Sequence, residues 1–409
     1  MAGFLCGLAL ICETWALEVA VIPAKAGIHF ANLGKCAVDA LDSRFRGNDR
    51  RFDQSRRAQN RSRCFMNSYQ RVMTALERGE PDRVPIVEWA VSRKVIKALC
   101  PTAKDQTDLE EMLELDGVST LAQFNRVSEY SDGTYVDEWG VLFKPTPEEI
   151  DHPIRGPIRT MDDLKKYVPP DPDAPHRLGN LPQLVARFKG KKAIFFRHRA
   201  AFMWSVFLNG FENLLMNFLL EPEFAHRLMD TVLDVSLRIA RNAIRAGADA
   251  IVIADDYAGN DSPFFSRTVF KEFVLPRLQR MVDAIHAEGA KAIKHSDGNL
   301  WPILDMIVDT GIDALNPMEP IAGMDIGTVK QKYGKRLCLI GNIDCSYILS
   351  EASTQEVEAA VKECILKASA GGGHIISSSN AIHSSVKPQN YRTMVEATKK
   401  YGRYPILTG

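Results

Sequence analysis

The sequence predicts an α/β protein built as a single (β/α)8 TIM barrel, with a small β-hairpin insertion after the second strand. Three observations lead there. Eight short apolar runs follow residue 66, each apolar on consecutive positions, as a strand buried on both faces would be. Helical stretches of fitting length separate the later runs, and strand-helix repetition eight times closes a barrel more readily than it fills an open sheet. No glycine-rich dinucleotide fingerprint follows the first run, which weighs against a doubly wound sheet.

The elements follow in order. "NSYQRVMTALERGEP" opens with Asn67 or Ser68 as N-cap, carries helical spacing and stops at Pro81. Strands are expected at 83–89, 117–124, 192–197, 250–255, 291–296, 313–317, 337–342 and 374–379. Helices are expected at 267–287, 299–310, 325–333, 354–370 and 388–400. "SDGTYVDEWGVLFKPT" (131–146) alternates polar and apolar residues about a turn, which reads as the hairpin, and "VPPDPDAPH" (168–176) is a proline-rich surface loop.

Composition narrows the function. The 409 residues are 45% hydrophobic, enough for a sizeable core. Basic and acidic residues balance at 51 each, so no bulk field recruits nucleic acid or a membrane surface. No run reaches the ~18 apolar residues that a membrane span needs. Eight cysteines without CxxC spacing suggest neither a zinc knuckle nor a disulfide framework, and a reducing, cytoplasmic setting is expected. Cys338 lies in an apolar run and Cys364 in a helical pattern, so both are expected in the core.

Residues 1–65 stand apart. They begin with an apolar stretch lacking periodicity and continue with eight arginines between Arg44 and Arg63. A signal peptide lacks its basic leading region here and is interrupted by Glu13. A basic nucleic-acid arm would lack any aromatic or helical pattern behind it. The reading preferred is a non-native or disordered extension, a translated genomic repeat ("VIPAKAGI", "DSRFRGND"), with the barrel spanning 66–409 and Met66 as the true start.

A barrel places its reactive groups at the C-terminal ends of its strands. Those ends carry Glu88 and Trp89; Asn125; Arg197, His198 and Arg199; Asp255, Asp256 and Tyr257; His295 and Asp297; Asn316 and Glu319; Asn342, Asp344 and Cys345; and Ser379, Asn380 and His383. Each has a plain structural alternative. His295 would bond a neighbouring strand, Asp297 would cap a helix near Leu300, and Glu319 would be a solvated loop acid. Asp255 and Asp256 would bind a cation or cap the next helix. Arg197, His198 and Arg199 would hold an anionic substrate or pair with nearby acids, and His383 would be a surface loop residue.

The motifs "RVMTALERGEPDRVPI", "VDEWGV", "NGFENLL", "HSDGNLWPIL", "LIGNIDC" and "SSSNAIHSSVKPQNY", in this order from about Met66 to Tyr404, resemble the uroporphyrinogen decarboxylase superfamily. The nearer branch is similar to the corrinoid-dependent methyltransferases. The resemblance implies for true decarboxylases paired arginines after the first strand and an aspartate after the second. Here only Arg93 and Lys94 follow the first, and the second ends in Asn125. For the methyltransferases it implies a zinc site of His-x-Cys and a later cysteine. His295 matches the histidine, while Asp297 and Asn380 stand where the cysteines would be. Oxygen ligands in place of thiolates imply a weak, exchangeable divalent metal at His295 and Asp297 rather than a thiol-activating zinc.

The function this implies is methyl transfer from a small methoxy or methylamine compound to a corrinoid carried by a partner protein. His295 would donate a proton to the leaving atom, Asp297 would orient it or share a metal, and Glu319 would face the substrate. Glu88, Asn125, Arg197, His198, Asp255, Asp256, Tyr257, Asn342 and Asn380 would line the binding site. The alternatives are decarboxylation of a tetrapyrrole and a binding barrel without chemistry.

Overall fold

The computed structural model describes residues 65–148 and 150–406. The extension expected at the N-terminus lies outside the described residues apart from Phe65.

Seven strands form one parallel sheet in chain order. They are β1 (Gly117–Leu121), β6 (Ala193–His198), β7 (Ala250–Ala254), β8 (Lys291–His295), β9 (Ala314–Asn316), β10 (Cys338–Ile340) and β11 (His374–Ile375). The architecture is TIM-barrel-like. The run expected as the first strand forms isolated parallel bridges instead of a ladder, Ile86 with Ile376 and Val91 with Ile382. It nevertheless sits between the sheet's two ends: Val87 N donates to Ile376 O at 3.0 Å, and Asp116 N donates to Ile86 O at 2.8 Å. Pro85 explains the short pairing, since it has no N–H to give to a ladder.

Alternate strand residues turn inward. Val87, Trp89, Phe195, Val252, Ile293, Ala314, Cys338, Ile340 and Ile375 share the central core with Val72 and Leu76 from the first helix. Three aspartates pin the opposite, N-terminal end. The side chains of Asp116, Asp249 and Asp313 each accept at 2.9 Å from a backbone N–H of the preceding strand, at Ile86, Ile194 and Ala292. In each case the aspartate's own N–H returns a bond to the same residue's carbonyl, at 2.8 Å.

Where one hairpin is expected, the chain forms a four-stranded antiparallel sheet of β2 (Arg126–Glu129), β3 (Tyr135–Asp137), β4 (Leu142–Lys144) and β5 (His152–Arg155). The expected turn is the β3–β4 connection. The flanking strands β2 and β5 are mostly exposed, so neither shows the apolar alternation that marks a half-buried strand.

The helix Ser68–Leu76 starts with Asn67 as N-cap in a reciprocal capping box with Gln70. Helices at Ile326–Tyr333, Thr354–Ala368 and Pro388–Tyr401 match their expected stretches. The stretch 267–287 carries a π-turn at Phe270–Val274, where Pro276 removes a donor from the helical ladder. Of 299–310 only Leu304–Asp309 is α-helical. Seven helices among the described residues were not foreseen: Arg93–Leu99, Gln106–Met112, Met161–Lys166, Leu181–Phe188, Ala201–Asn209, Phe211–Leu220 and Pro222–Arg245. All nine residues of Ala201–Asn209 are buried, so no polar face gives it a readable period. No helix among the described residues is long and apolar enough to cross a membrane.

Candidate functional site

His295 ends β8 with Nδ1 2.6 Å from the side-chain oxygen of Asn316, the last residue of neighbouring β9. Trp89 Nε1 donates to the same oxygen at 2.7 Å, and Asn316 Nδ2 donates to Ile340 O at 2.9 Å. An indole N–H can only donate, so this oxygen accepts both bonds and His295 Nδ1 carries the hydrogen. The lone pair of Nε2 then faces two carboxylates, with Asp256 Oδ1 at 3.7 Å and Asp297 Oδ1 at 3.6 Å.

Each carboxylate is held from behind. Asn380 Nδ2 donates to Asp297 Oδ2 at 2.6 Å, whereas the buried Asp297 Oδ1 has no hydrogen-bond partner. Asp256 accepts the backbone N–H of Asp297 at 3.2 Å, and Glu319 accepts that of Gly298 at 2.9 Å. Gly298 makes this turn at φ +82°, and a Cβ there would stand 2.5 Å from Ala258 O. The position therefore admits only glycine without rearrangement.

Burial and mutual repulsion set the protonation. Burial pushes the Asp297 carboxyl well above the usual range, and Asp256 and Glu319 push it further. Glu319 is raised by burial and by Asp256 and Asp344, against the pull of the Gly298 N–H. Burial lowers His295 despite the attraction of Asp256, which favours the neutral ring. Carboxylates this close ionise together only when a cation or a shared proton offsets their repulsion. Asp256, His295 and Asp297 each offer a ligand atom within 4.8 Å of the others. One imidazole nitrogen and two carboxylate oxygens suit a divalent cation, and the orphaned Asp297 Oδ1 fits that role.

The other rim residues divide. Asp255 caps the helix Ala201–Asn209: its carboxylate accepts the N–H groups of Ala200, Phe202 and Met203 at 2.9–3.2 Å. It thus caps the preceding helix, where the sequence suggested the next. Asp297 caps nothing, because the following helix begins at Leu304 without a side-chain cap. Tyr257 is buried among Phe202, Phe265 and Phe270, with Lys294 Nζ 3.8 Å from its ring centroid. Lys294, fully buried behind the acids, donates to the carbonyls of Asp255 and His295, and burial brings its pKa down to about 8.

Asn342 donates to Met318 O at 2.7 Å and to Met324 O at 3.4 Å, bracketing the loop that carries Glu319. Glu88 lies buried under Ser377, Ser378 and the Trp89 N–H, and burial raises its pKa to about 7. Asn125 is exposed, with its backbone N–H bound to Glu138. Cys345 is buried, its Sγ 3.4 Å from Ser379 Oγ, and His383 accepts the Ser385 N–H.

Over His295 and Asp256 opens a cavity of about 260 Å³. Trp89, Phe124, Phe143, Trp204 and Phe207 supply aromatic walls, and Arg197, His198 and Arg199 line it from the end of β6. Tyr135 and Asp151 reach it from β3 and from the β4–β5 connection of the antiparallel sheet, so that insertion forms one side of the mouth.

The sequence profile of the family described as uroporphyrinogen decarboxylase (URO-D) matches residues 135–401. The chain belongs to the uroporphyrinogen decarboxylase family. Among curated relatives, it is 28% identical over 188 residues to the uroporphyrinogen decarboxylase of Actinobacillus pleuropneumoniae, covering 45% of this chain and 50% of that one. It is 25% identical over 264 residues to that of Shewanella piezotolerans, covering 61% and 71%. The chain thus spans about half the length of the first of these relatives. A solved methyltransferase from Methanosarcina mazei shares the fold, with a TM-score of 0.64 and 18% identity over 82% of this chain and 99% of that one.

Within this family the roles of Trp89 and Asn316 were not assigned from the sequence. Both stand at strand ends, which was legible. That two residues 227 positions apart meet at one oxygen was not.

Proposed function

We propose that this member of the uroporphyrinogen decarboxylase family transfers a methyl group from a small methoxy or methylamine compound to a corrinoid held by a partner protein. The observation that carries the reading is the pairing of Asp297 and His295, 3.6 Å apart, with a cavity of about 260 Å³. One small ring fills such a space, whereas a four-ring macrocycle bearing many carboxylates needs more room and several fixed cations. Arg93 and Lys94 are exposed on the helix Arg93–Leu99, and Asn125 faces solvent, which leaves Arg197 and Arg199 as the guanidiniums lining the cavity, too few for many carboxylates. The fold shared with a methyltransferase is in keeping with the proposal.

Methyl transfer to the corrinoid as CH3+ leaves negative charge on the ether oxygen or on the nitrogen of a neutral amine, which a proton must meet. Burial favours the protonated, neutral carboxyl at Asp297 and the neutral ring at His295, so the proton this couple gives starts on Asp297. His295 Nε2 faces the cavity and passes that proton to the leaving atom, while Asn316 holds the ring by its Nδ1–H. Asp256 steadies the imidazolium as it forms. A divalent cation held by Asp256, His295 and Asp297 would supply electrophilic polarisation of the same atom in place of the proton.

The test mixes the full chain, a reduced corrinoid protein and a panel of methoxyaromatics and methylamines, and follows the corrinoid absorbance. Methylation by one donor, cut by ~10²–10⁴-fold in His295→Ala, is expected. Decarboxylation remains the second reading because the curated relatives are named uroporphyrinogen decarboxylases. Loss of carboxylate from uroporphyrinogen, with no corrinoid methylation by any donor, would establish it.

A further inference from the structure

We propose that Glu88 is a positioning residue for Asp297: its carboxylate holds a bulge in the last strand segment, and that bulge turns Asn380 onto the Asp297 carboxyl. The inference rests on the reading of Asp297 as the site's proton source. It adds a residue that touches neither the substrate nor the proton.

The first apolar run and the last pair at two places, Ile86 with Ile376 and Val91 with Ile382. Residues 87–90 stand between these bridges on one side and 377–381 on the other, four against five. One extra residue makes a bulge, which bends the chain and re-aims a side chain. The ladder stops where the bulge begins. Ile376 N–H donates to Pro85 O and Val87 N–H to Ile376 O, at 2.9 and 3.0 Å. Were the ladder to continue, Ser378 N–H would give to Val87 O and Trp89 N–H to Ser378 O. Both turn instead to the Glu88 side chain, Ser378 N–H to Oε2 at 3.2 Å and Trp89 N–H to Oε1 at 3.1 Å. The carboxylate takes the place of two missing ladder partners.

From there two steps lead to the site. Ser378 Oγ lies 2.9 Å from Glu88 Oε1 and also meets Asn380 O. Asn380 Oδ1 accepts the Ala381 N–H at 2.7 Å, which turns its Nδ2 to Asp297 Oδ2 at 2.6 Å. On the other flank Ser379 N–H donates to Ile343 O at 2.8 Å, so that side stays paired. Glu88 is 2% exposed, and it is its neighbour Trp89 that lines the cavity. The donors that Glu88 meets are all uncharged. A buried acid without a cation is costly, and packing alone would be served by an apolar side chain of like volume. The N–H groups that the bulge frees call for a side chain with two acceptor oxygens.

NMR of the full chain with nitrogen-labelled asparagine tests this with no corrinoid protein or donor present. The Asn380 side-chain signal, identified by its loss in Asn380→Ala, should move toward the position of a solvated amide in Glu88→Gln, whose Nε2 cannot accept the Ser378 N–H. Ser378→Ala removes only the hydroxyl and should move the signal the same way by less. Circular dichroism checks that both variants fold. An unmoved signal in folded Glu88→Gln overturns the proposal, and should that variant not fold, Ser378→Ala decides on the same signal. In turnover with a methyl donor, Glu88→Gln should lower kcat about tenfold and hold KM. In an Asn380→Ala background the same substitution should lower kcat no further, while its effect on denaturant unfolding persists. Full additivity in kcat overturns the proposal. A moved signal with no methyl transfer from any donor counts against the proposed function and supports the positioning role.

Discussion

His295 Nδ1 and the side-chain oxygen of Asn316 lie 2.6 Å apart, and that bond decides which imidazole nitrogen faces the acids. Asn316→Leu removes the acceptor, and turnover should fall roughly 10–100-fold, as for loss of an orienting partner. Nitrogen NMR of the ring should show His295 protonated at Nδ1 in the parent and mixed in the variant. Trp89→Phe leaves the His295–Asn316 bond in place and should cost less. An unchanged tautomer in Asn316→Leu would remove this account.

Asp297 carries a pH prediction. Its carboxyl is raised by burial and by neighbouring acids, so the proton is present at lower pH and lost as pH rises through that raised value. Activity that uses the proton should fall on the alkaline side. Asp297→Asn should abolish that limb and lower the maximal rate less than His295→Ala does, because Asn380 and the amide still hold the turn. An alkaline limb surviving in Asp297→Asn would assign the proton elsewhere.

Much of this site was legible as position and little of it as partnership. His295, Asp297 and Glu319 could be placed on the rim because each follows a short apolar run. The fold class was readable for the same reason. Asp255 and Asp256 look alike in sequence, yet Asp255 turns to three backbone N–H groups and Asp256 to His295. Strand alternation sends neighbours to opposite faces, and only the packed barrel shows which face holds the helix end. Pro85 left the first run a bridge, and the fully buried Ala201–Asn209 had no period to read.

Metal and proton compete for one place. The cluster of Asp256, His295 and Asp297 lacks thiolates, so the purified protein is expected to hold far less than one tightly bound zinc per chain. Added divalent cation should raise the melting temperature, more so at higher pH, because binding displaces the Asp297 proton. His295→Ala should lose the effect. Stoichiometric zinc resistant to dialysis would contradict the weak site.

Glu88 should act on stability rather than on turnover alone. Its folded-state pKa of about 7 exceeds the ordinary 4.5, so the folded chain holds its proton more tightly than the unfolded one. Its contribution is full below about pH 4.5 and is lost as pH rises through 7, amounting to about 3 kcal/mol. Glu88→Gln removes the charge and keeps one acceptor oxygen for the Trp89 N–H and the two serine hydroxyls, while its Nε2 cannot accept the Ser378 N–H. Denaturant unfolding should therefore find its stability relative to the parent higher at pH 8 than at pH 5.

Gly298→Ala tests the turn beneath Asp297. The new Cβ would press on Ala258 O from a left-handed backbone, costing roughly 1–3 kcal/mol and displacing the N–H that Glu319 accepts. Both melting temperature and turnover should drop. Full activity with a lowered melting temperature would separate Glu319 from the chemistry.

The aspartates at the far end of the barrel give the molecule its licence to change. Asp116, Asp249 and Asp313 each lock one strand pair by a two-way bond, at Ile86, Ile194 and Ala292. A slip of one residue would break both bonds and send every mouth-facing side chain to the wrong face. Alignment is thus decided away from the chemistry, and the loops at the mouth can be exchanged without resetting it. For anyone redesigning this barrel, the foundations and the furniture are separate.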